Sequence, residues 1–298
     1  MIRKPTFFVV GAPRCGTTAI TDHLSKHSDV FMSRPKEAEY FADDFGAWRF
    51  ARSQPEYLRL FDKADDTQTA VGEGSTIYLY SDCAIGNIMT FNPAAKLIAI
   101  LRSPLDAIPS LHALLLYMRE EDEPSFERAW SLQEARSRGL HLPAGCEAPK
   151  LFQYRALGRY GEQVERLLAA ADARQVLILL FDDLVSDPAS VHAQLTSFLG
   201  LHPAPCTTIE RVHDNRYNRA PSLAQWLRRP PKPVRWLSRQ LQARGGLGIA
   251  SRLIDLQTDV RRRSPLSDEM RGVLRSEFRE DIYHLQDLIG RDLSGWLE

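Results

Sequence analysis

Apolar positions fall into short continuous runs, separated by longer stretches with helical spacing. Residues 6–10, which include Phe7-Phe8-Val9-Val10, form the first run; residues 96–101 (KLIAIL) and 176–181 (VLILLF) form two more. Residues 30–32 and 70–71 are weaker runs of the same kind. Such runs, apolar without alternation, read as strands with both faces buried. Helical patterns cover residues 16 to about 27, 106–119, 125–138, 155–171 and 188–199, and return at 267–288. Strands alternating with helices predict an α/β fold, with a central, mostly parallel sheet flanked by helices. No internal repeat is visible, and the 298 residues with 44% hydrophobic content read as a single domain.

The first run flows straight into Gly11-Ala12-Pro13-Arg14-Cys15-Gly16-Thr17-Thr18. Strand, glycine loop and helix start, in that order, make a P-loop-like phosphate cradle. The loop N–H groups and the helix N-terminus offer donors with a positive dipole. Nucleotide triphosphatase loops read Gly-x-x-x-x-Gly-Lys-Ser/Thr, and their lysine reaches the β- and γ-phosphates. Here Thr17 stands where that lysine would be, and Arg14 puts a cation inside the loop instead. The cradle is therefore expected to hold a phosphate but not a triphosphate. A second site is expected where the strand at 96–101 ends, because open α/β sheets bind ligands at the C-terminal ends of their strands. The chain there reads Arg102-Ser103-Pro104-Leu105-Asp106, and Ser110 follows within the next helix. Arg102 can fork onto a second phosphate there. Pairing of Arg102 with Asp106 as structural packing is the competing reading.

These two segments resemble the signature motifs of sulfotransferases that use 3′-phosphoadenosine 5′-phosphosulfate (PAPS). Pro13-Arg14-Cys15-Gly16-Thr17-Thr18 is similar to their 5′-phosphosulfate loop, and Arg102-Ser103-Pro104 with Asp106 and Ser110 to their 3′-phosphate site. Gly158-Arg159-Tyr160, Phe181-Asp182-Asp183-Leu184, Phe198-Leu199-Gly200-Leu201 and residues 288–296 extend the likeness over nearly the whole chain. The resemblance implies PAPS as donor, PAP as product, no metal, and sulfuryl transfer to a hydroxyl or, less often, an amine. It implies donor contacts from Arg14, Cys15, Gly16, Thr17, Thr18, Arg102, Ser110 and Tyr160, with Arg216 and Arg219 in a basic loop that closes over the nucleotide. Arg14 would stabilise charge on the leaving phosphate, since an arginine stays protonated.

The segment Arg34-Pro35-Lys36-Glu37-Ala38-Glu39-Tyr40-Phe41 resembles the Lys-Glu-x-x-Phe-Phe stretch of glycosaminoglycan-type sulfotransferases, whose glutamate serves as base. That glutamate maps to Glu37. No histidine lies between His27 and His112, so the histidine base of cytosolic small-molecule relatives has no counterpart. Glu39 falls where some relatives have histidine. Val71-Gly72-Glu73-Gly74-Ser75-Thr76-Ile77-Tyr78 resembles a Gly-Glu-x-Ser/Thr-Pro-x-Tyr stretch. Glycosaminoglycan relatives carry lysine where Gly74 stands, so the resemblance does not by itself imply a heparan-like acceptor. Glu39, Tyr78 and His112 are the candidates on the acceptor side, for an acceptor that is a carbohydrate, a lipid or a natural product. Two other functions compete with this one: a P-loop nucleotide or small-molecule kinase, and a non-catalytic PAP-binding module.

Charge and cysteine usage narrow the setting. With 38 basic and 38 acidic residues the chain is neutral, and no nucleic-acid partner is expected. Residues 207–263 differ: within 211–263 thirteen basic side chains face three acidic ones. That segment is expected to be a lid or substrate flap, or a peripheral contact with anionic lipid. Cys15, Cys83, Cys146 and Cys206 form no C-x-x-C pair, which favours a reducing compartment. The first apolar run is too short for a signal segment, so a cytoplasmic protein is expected. His23 and His27, four apart, read as helix-surface or groove residues rather than metal ligands. Asp182 and Asp183 read as capping or hydrogen-bonding acids rather than a Mg²⁺ pair.

Overall fold

A computed structural model describes residues 3–202, 209, 216–218, 258–260 and 265–298. Five strands, β1 (Phe7–Gly11), β2 (Val30–Met32), β3 (Ala70–Gly74), β4 (Lys96–Leu101) and β5 (Val176–Leu180), form one parallel sheet in the order β2-β3-β1-β4-β5. β1 lies at the centre, with Phe7 opposite Gly72 on one side and Lys96 on the other. All five of its residues are buried, as the unbroken apolar run requires. The helices are α1 (Thr17–Leu24), α2 (Gln54–Leu58), α3 (Ala84–Phe91), α4 (Pro104–Met118), α5 (Phe126–Ser131), α6 (Gln133–Ser137), α7 (Tyr154–Gly158), α8 (Tyr160–Ala170), α9 (Phe181–Ser186), α10 (Pro188–Leu199) and α11 (Asp268–Ile289).

The strand order decides where a ligand can sit. From β1 the chain leaves toward β2 on one side; from β4, its neighbour, it leaves toward β5 on the other. The two outgoing connections diverge and open a crevice at the C-terminal ends of β1 and β4. The glycine loop and the Arg102 segment both begin there.

Two helices expected to be continuous are broken. The stretch 155–171 divides at Arg159, whose φ of −81° and ψ of 76° are not helical. α11 supplies the reason. Asp281 accepts the N–H groups of Gly161 and Glu162 at 2.9 and 3.1 Å, so a distant carboxylate caps α8. The stretch 125–138 divides at Leu132 between α5 and α6. α11 itself follows its 3.6-residue pattern, burying Met270, Leu274, Phe278, Ile282 and Leu285 and starting at Ser267, whose side chain caps Met270 N.

A buried ion pair ties α6 to the chain after α4. Arg136 Nη1 and Nη2 donate to Glu121 Oε2 and Oε1 at 2.7 and 2.8 Å, and Tyr154 OH donates to Oε2 at 2.6 Å. The two charged side chains are 1% and 0% exposed. His112 belongs to the same region. It is buried, its Nε2 bonds the Glu123 carbonyl at 2.8 Å, and Phe126 and Tyr154 pack edge-on against its ring. The expectation that His112 faces an acceptor is thereby corrected: the core uses it.

His23 on α1 meets His192 on α10, Nε2 to Nδ1 at 2.8 Å. Burial, followed by the charges of His192, Lys26 and His27, pushes the His23 pKa from 6.5 down to about 4. The unfolded chain therefore binds the proton more readily than the folded one. Stability should be full above about pH 6.5 and fall as pH drops toward 4, by an amount on the order of 3 kcal/mol at most. Urea melts between pH 7 and 4 check this; His23→Gln should flatten that part of the slope.

β6 (Arg216–Asn218) and β7 (Thr258–Val260) pair antiparallel, and the β6 backbone runs beside α4. Arg219 and most of the basic segment 207–263 lie outside the described residues. Among the described residues no helix is long and apolar enough to cross a membrane.

Candidate active site

The loop after β1 is shaped from beneath. Ala12 N–H bonds Ile100 O at 2.8 Å, which ties the loop to β4. Arg14 takes φ 66° and Gly16 φ 95°, both left-handed. A Cβ at Gly16 would stand 3.0 Å from the Phe181 ring and 3.1 Å from Leu184, so α9 presses against the loop where it has no side chain. α1 then opens at Thr17. Cys15 turns its thiol into the core, 3.7 Å from Tyr160 OH, and burial pushes its pKa up to about 12. Tyr160, expected among the donor contacts, is 1% exposed. It braces the loop from the core side through Cys15, which corrects its expected place in the cradle.

Arg14 brings the two expected anion sites together. Its Nε donates to Ser110 Oγ on α4 at 2.9 Å. Arg102, at the end of β4, donates to Asp106 at 3.2 Å and lies 4.7 Å over the Phe181 ring. The pair is part-exposed, a geometry that contributes little stability. Asp182 and Asp183 hold the C-terminal segment: Trp296 Nε1 donates to Asp182 at 2.8 Å, and Arg291 grips Asp183 with both terminal nitrogens.

The turn at 36–39 closes the other side. Glu37 N–H bonds Gly74 O at 2.9 Å, fixing the turn to the end of β3. Glu37 Oε2 accepts from Thr76 N and Oγ1 at 2.7 and 3.2 Å, so its carboxylate is oriented while the side chain stays 35% exposed. Lys36 was not singled out as a site residue by the sequence. Its Nζ donates to Thr17 Oγ1 and Thr18 Oγ1, both at 3.1 Å, and lies 3.3 Å from Glu37 Oε1. The sequence signal that points toward it is Thr17, which stands where a nucleotide triphosphatase loop carries its lysine.

Glu39 and Tyr78, expected on the acceptor side, are inside. Glu39 is 6% exposed; its Oε2 accepts Phe50 N–H at 3.1 Å, and its own N–H bonds Ser75 Oγ at 2.9 Å. Burial, then the charges of Glu37 and Glu73, hold its carboxyl well above the usual range. Tyr78 is fully buried and its hydroxyl accepts Phe41 N–H at 3.4 Å. Both stiffen the turn from below, through the bonds they make to core residues. Among the described residues no group of three or more His, Cys, Asp or Glu is placed to hold a metal.

A strand, a lysine-free glycine loop, an arginine at the end of the neighbouring strand and a serine on the helix that follows thus share one crevice. The sulfotransferase domain family matches residues 4–222. The chain belongs to the sulfotransferase family. The matched span contains β1 through β5 and every side chain of the crevice described above. Among curated sulfotransferases, the mouse bifunctional heparan sulfate N-deacetylase/N-sulfotransferase 4 is 26% identical over 304 residues, 98% of this chain and 31% of that protein. The human bifunctional heparan sulfate N-deacetylase/N-sulfotransferase 3 is 29% identical over 209 residues, 67% of this chain and 23% of that one. The chain therefore spans less than a third of the length of these curated relatives. A solved sulfotransferase from Alicyclobacillus acidocaldarius is 26% identical, with a TM-score of 0.71 and complete coverage of both chains. The central parallel sheet with flanking helices is the sulfotransferase fold seen there.

Proposed function

We propose that this chain transfers the sulfuryl group of PAPS to a hydroxyl, less often an amine, of a carbohydrate, lipid or natural-product acceptor, with Glu37 as the general base. The observation that carries this reading is the Arg14–Ser110 bond at 2.9 Å. It joins the loop to the Arg102 segment, so the cations suited to two separate anions belong to one crevice. The donor set fits PAPS, which carries anions at its 5′ and 3′ ends. Arginines, a lysine and hydroxyls surround the loop, and the end of β4 delivers Arg102 where a kinase often has a metal-binding acid.

The assignments follow from position. The loop, Arg14, Thr17 and Thr18 would hold the 5′ end; Arg102 and Ser110 would hold the 3′-phosphate. When bound, PAPS supplies an activated sulfuryl group and a phosphate that gains charge as it leaves. Arg14, charged at any working pH, stabilises that charge without donating a proton. Glu37 Oε2 is held by Thr76, and the acceptor's proton passes to the carboxylate at Oε1. Arg216, whose backbone lies beside α4, is proposed with Arg219 to close over the nucleotide.

Thermal shift separates the rival readings. PAP should stabilise the protein and Mg-ATP should not; the reverse result selects the kinase. PAP binding without label transfer from ³⁵S-PAPS to any fraction of a cell extract selects the non-catalytic module. Arg102→Ala should weaken PAPS far more than an analogue lacking the 3′-phosphate, losing about 1.5–3 kcal/mol of that preference. Equal losses for the two nucleotides in a titration would reject the assignment.

A further inference from the structure

The lysine that the loop lacks has been supplied from another part of the chain. Lys36 stands on the 36–39 turn, on the far side of the β3 end from the loop. Its side chain reaches α1 by passing over Gly74. A Cβ built on Gly74 would lie 3.4 Å from Lys36 Cε, 3.7 Å from its Cγ and 3.0 Å from Thr21 Cγ2. A methyl at 74 would only touch the lysine stem, but a larger side chain there would enter the space the stem occupies. At the end of that stem three oxygens surround the ammonium: Thr17 Oγ1, Thr18 Oγ1 and Glu37 Oε1, at 3.1, 3.1 and 3.3 Å. An ammonium has three hydrogens to give, so each finds an acceptor. The two hydroxyls that accept from Lys36 keep their own hydrogens to donate elsewhere. Lys36 therefore links the phosphate cradle directly to the carboxylate proposed as base, and it remains 24% exposed.

We propose that Lys36 binds the sulfonate end of the donor, in place of a lysine within the loop, and that it leaves Glu37 for that anion when the donor enters. This inference rests on the reading of the crevice as a PAPS site. An incoming sulfonate competes with the Glu37 carboxylate for the same ammonium, and a compact lysine charge on a flexible stem can move between the two. Donor binding then withdraws the cation from Glu37 and exposes Oε1 to the acceptor. A small residue at 74 suits this arrangement, because the lysine stem passes directly over it.

The test compares PAPS with PAP, which differ by the sulfonate alone. Both are titrated calorimetrically, without acceptor, into the wild-type chain and into Lys36→Met, which keeps the apolar stem. The variant should lose roughly ten- to a hundredfold in PAPS affinity and less than about threefold in PAP affinity. Lys36→Arg should keep most of the preference for PAPS. Gly74→Val, which leaves the lysine in place but sends a branched side chain into its path, should reduce the preference without removing it. Equal losses for PAPS and PAP in Lys36→Met, or no loss for either, overturn the proposal. Wild-type protein that binds neither nucleotide overturns the PAPS reading and this inference with it; wild-type binding with equal losses overturns this inference alone. Should Lys36→Met fail to fold, the Lys36→Arg and Gly74→Val titrations decide: an unchanged PAPS preference in Gly74→Val counts against the proposal.

Discussion

Glutamine in place of Glu37 is expected to lower kcat by roughly 10²-fold or more while PAP binding is retained. The substitution is close to isosteric. Its amide oxygen can still accept from Thr76 N, now at 2.7 Å from Oε2, so the turn should keep its shape. What is lost is an oxygen able to take the acceptor's proton. Glu39 cannot stand in. Its carboxyl is buried in the core and held by Phe50 N–H at 3.1 Å, away from the exposed face that Glu37 presents. Single-turnover transfer from ³⁵S-PAPS, alongside a PAP titration, separates chemistry from binding. Near-normal turnover in the variant would reject Glu37 as the base.

The largest stability effect is expected at Arg136. Arg136→Ala removes one partner of an ion pair whose side chains are 1% and 0% exposed, and leaves the Glu121 carboxylate buried without its cation. Breaking such a pair costs about 3–5 kcal/mol. Tyr154 OH and the N–H groups of Asp122 and Glu123 still reach Glu121, which places the loss toward the lower end of that range. Replacing both Arg136 and Glu121 with apolar residues of similar volume should recover much of it, because no charge is then stranded. Urea denaturation of the single and double variants measures both quantities. A loss below 1 kcal/mol for the single substitution would show that water or a rearranged donor satisfies Glu121.

Local sequence carried the central sheet and the loop because their signals are local. Phe7-Phe8-Val9-Val10 followed by Gly11 and Gly16 needs no distant partner to be read as strand, turn and helix start. Arg102 and Ser110 stood out in the sequence because ligands of such folds sit at strand ends, and the structure places Ser110 against Arg14. β3 was harder: Ala70-Val71-Gly72-Glu73-Gly74 has two glycines and a carboxylate, poor strand formers, yet all five residues are buried between β1 and β2. Tertiary contact overrides propensity there. The same cause explains the misplaced side chains. Nothing next to Glu39 in sequence says that Ser75 Oγ and Phe50 N–H will hold it inside, and nothing next to Tyr160 says that the Cys15 thiol will face it. The break at Arg159 depends on Asp281, far along the chain. Lys36 was hidden in another way: its side chain meets Thr17 and Thr18 only after the 36–39 turn is fixed to the end of β3.

β1 is synthesised before every strand it pairs with. Phe7 must wait for Gly72 on one side and Lys96 on the other. Until then the apolar run from Phe7 to Val10 has neither of its neighbouring strands, and unpaired apolar segments of this kind aggregate readily. The loop matures later still, since Ala12 waits for Ile100 and Arg14 for Ser110. Nucleotide recognition is thus one of the last properties of this half of the chain to appear during translation. A ribosome stalled before residue 110 would carry a nascent chain that holds the whole glycine loop in its sequence and has no site to show for it.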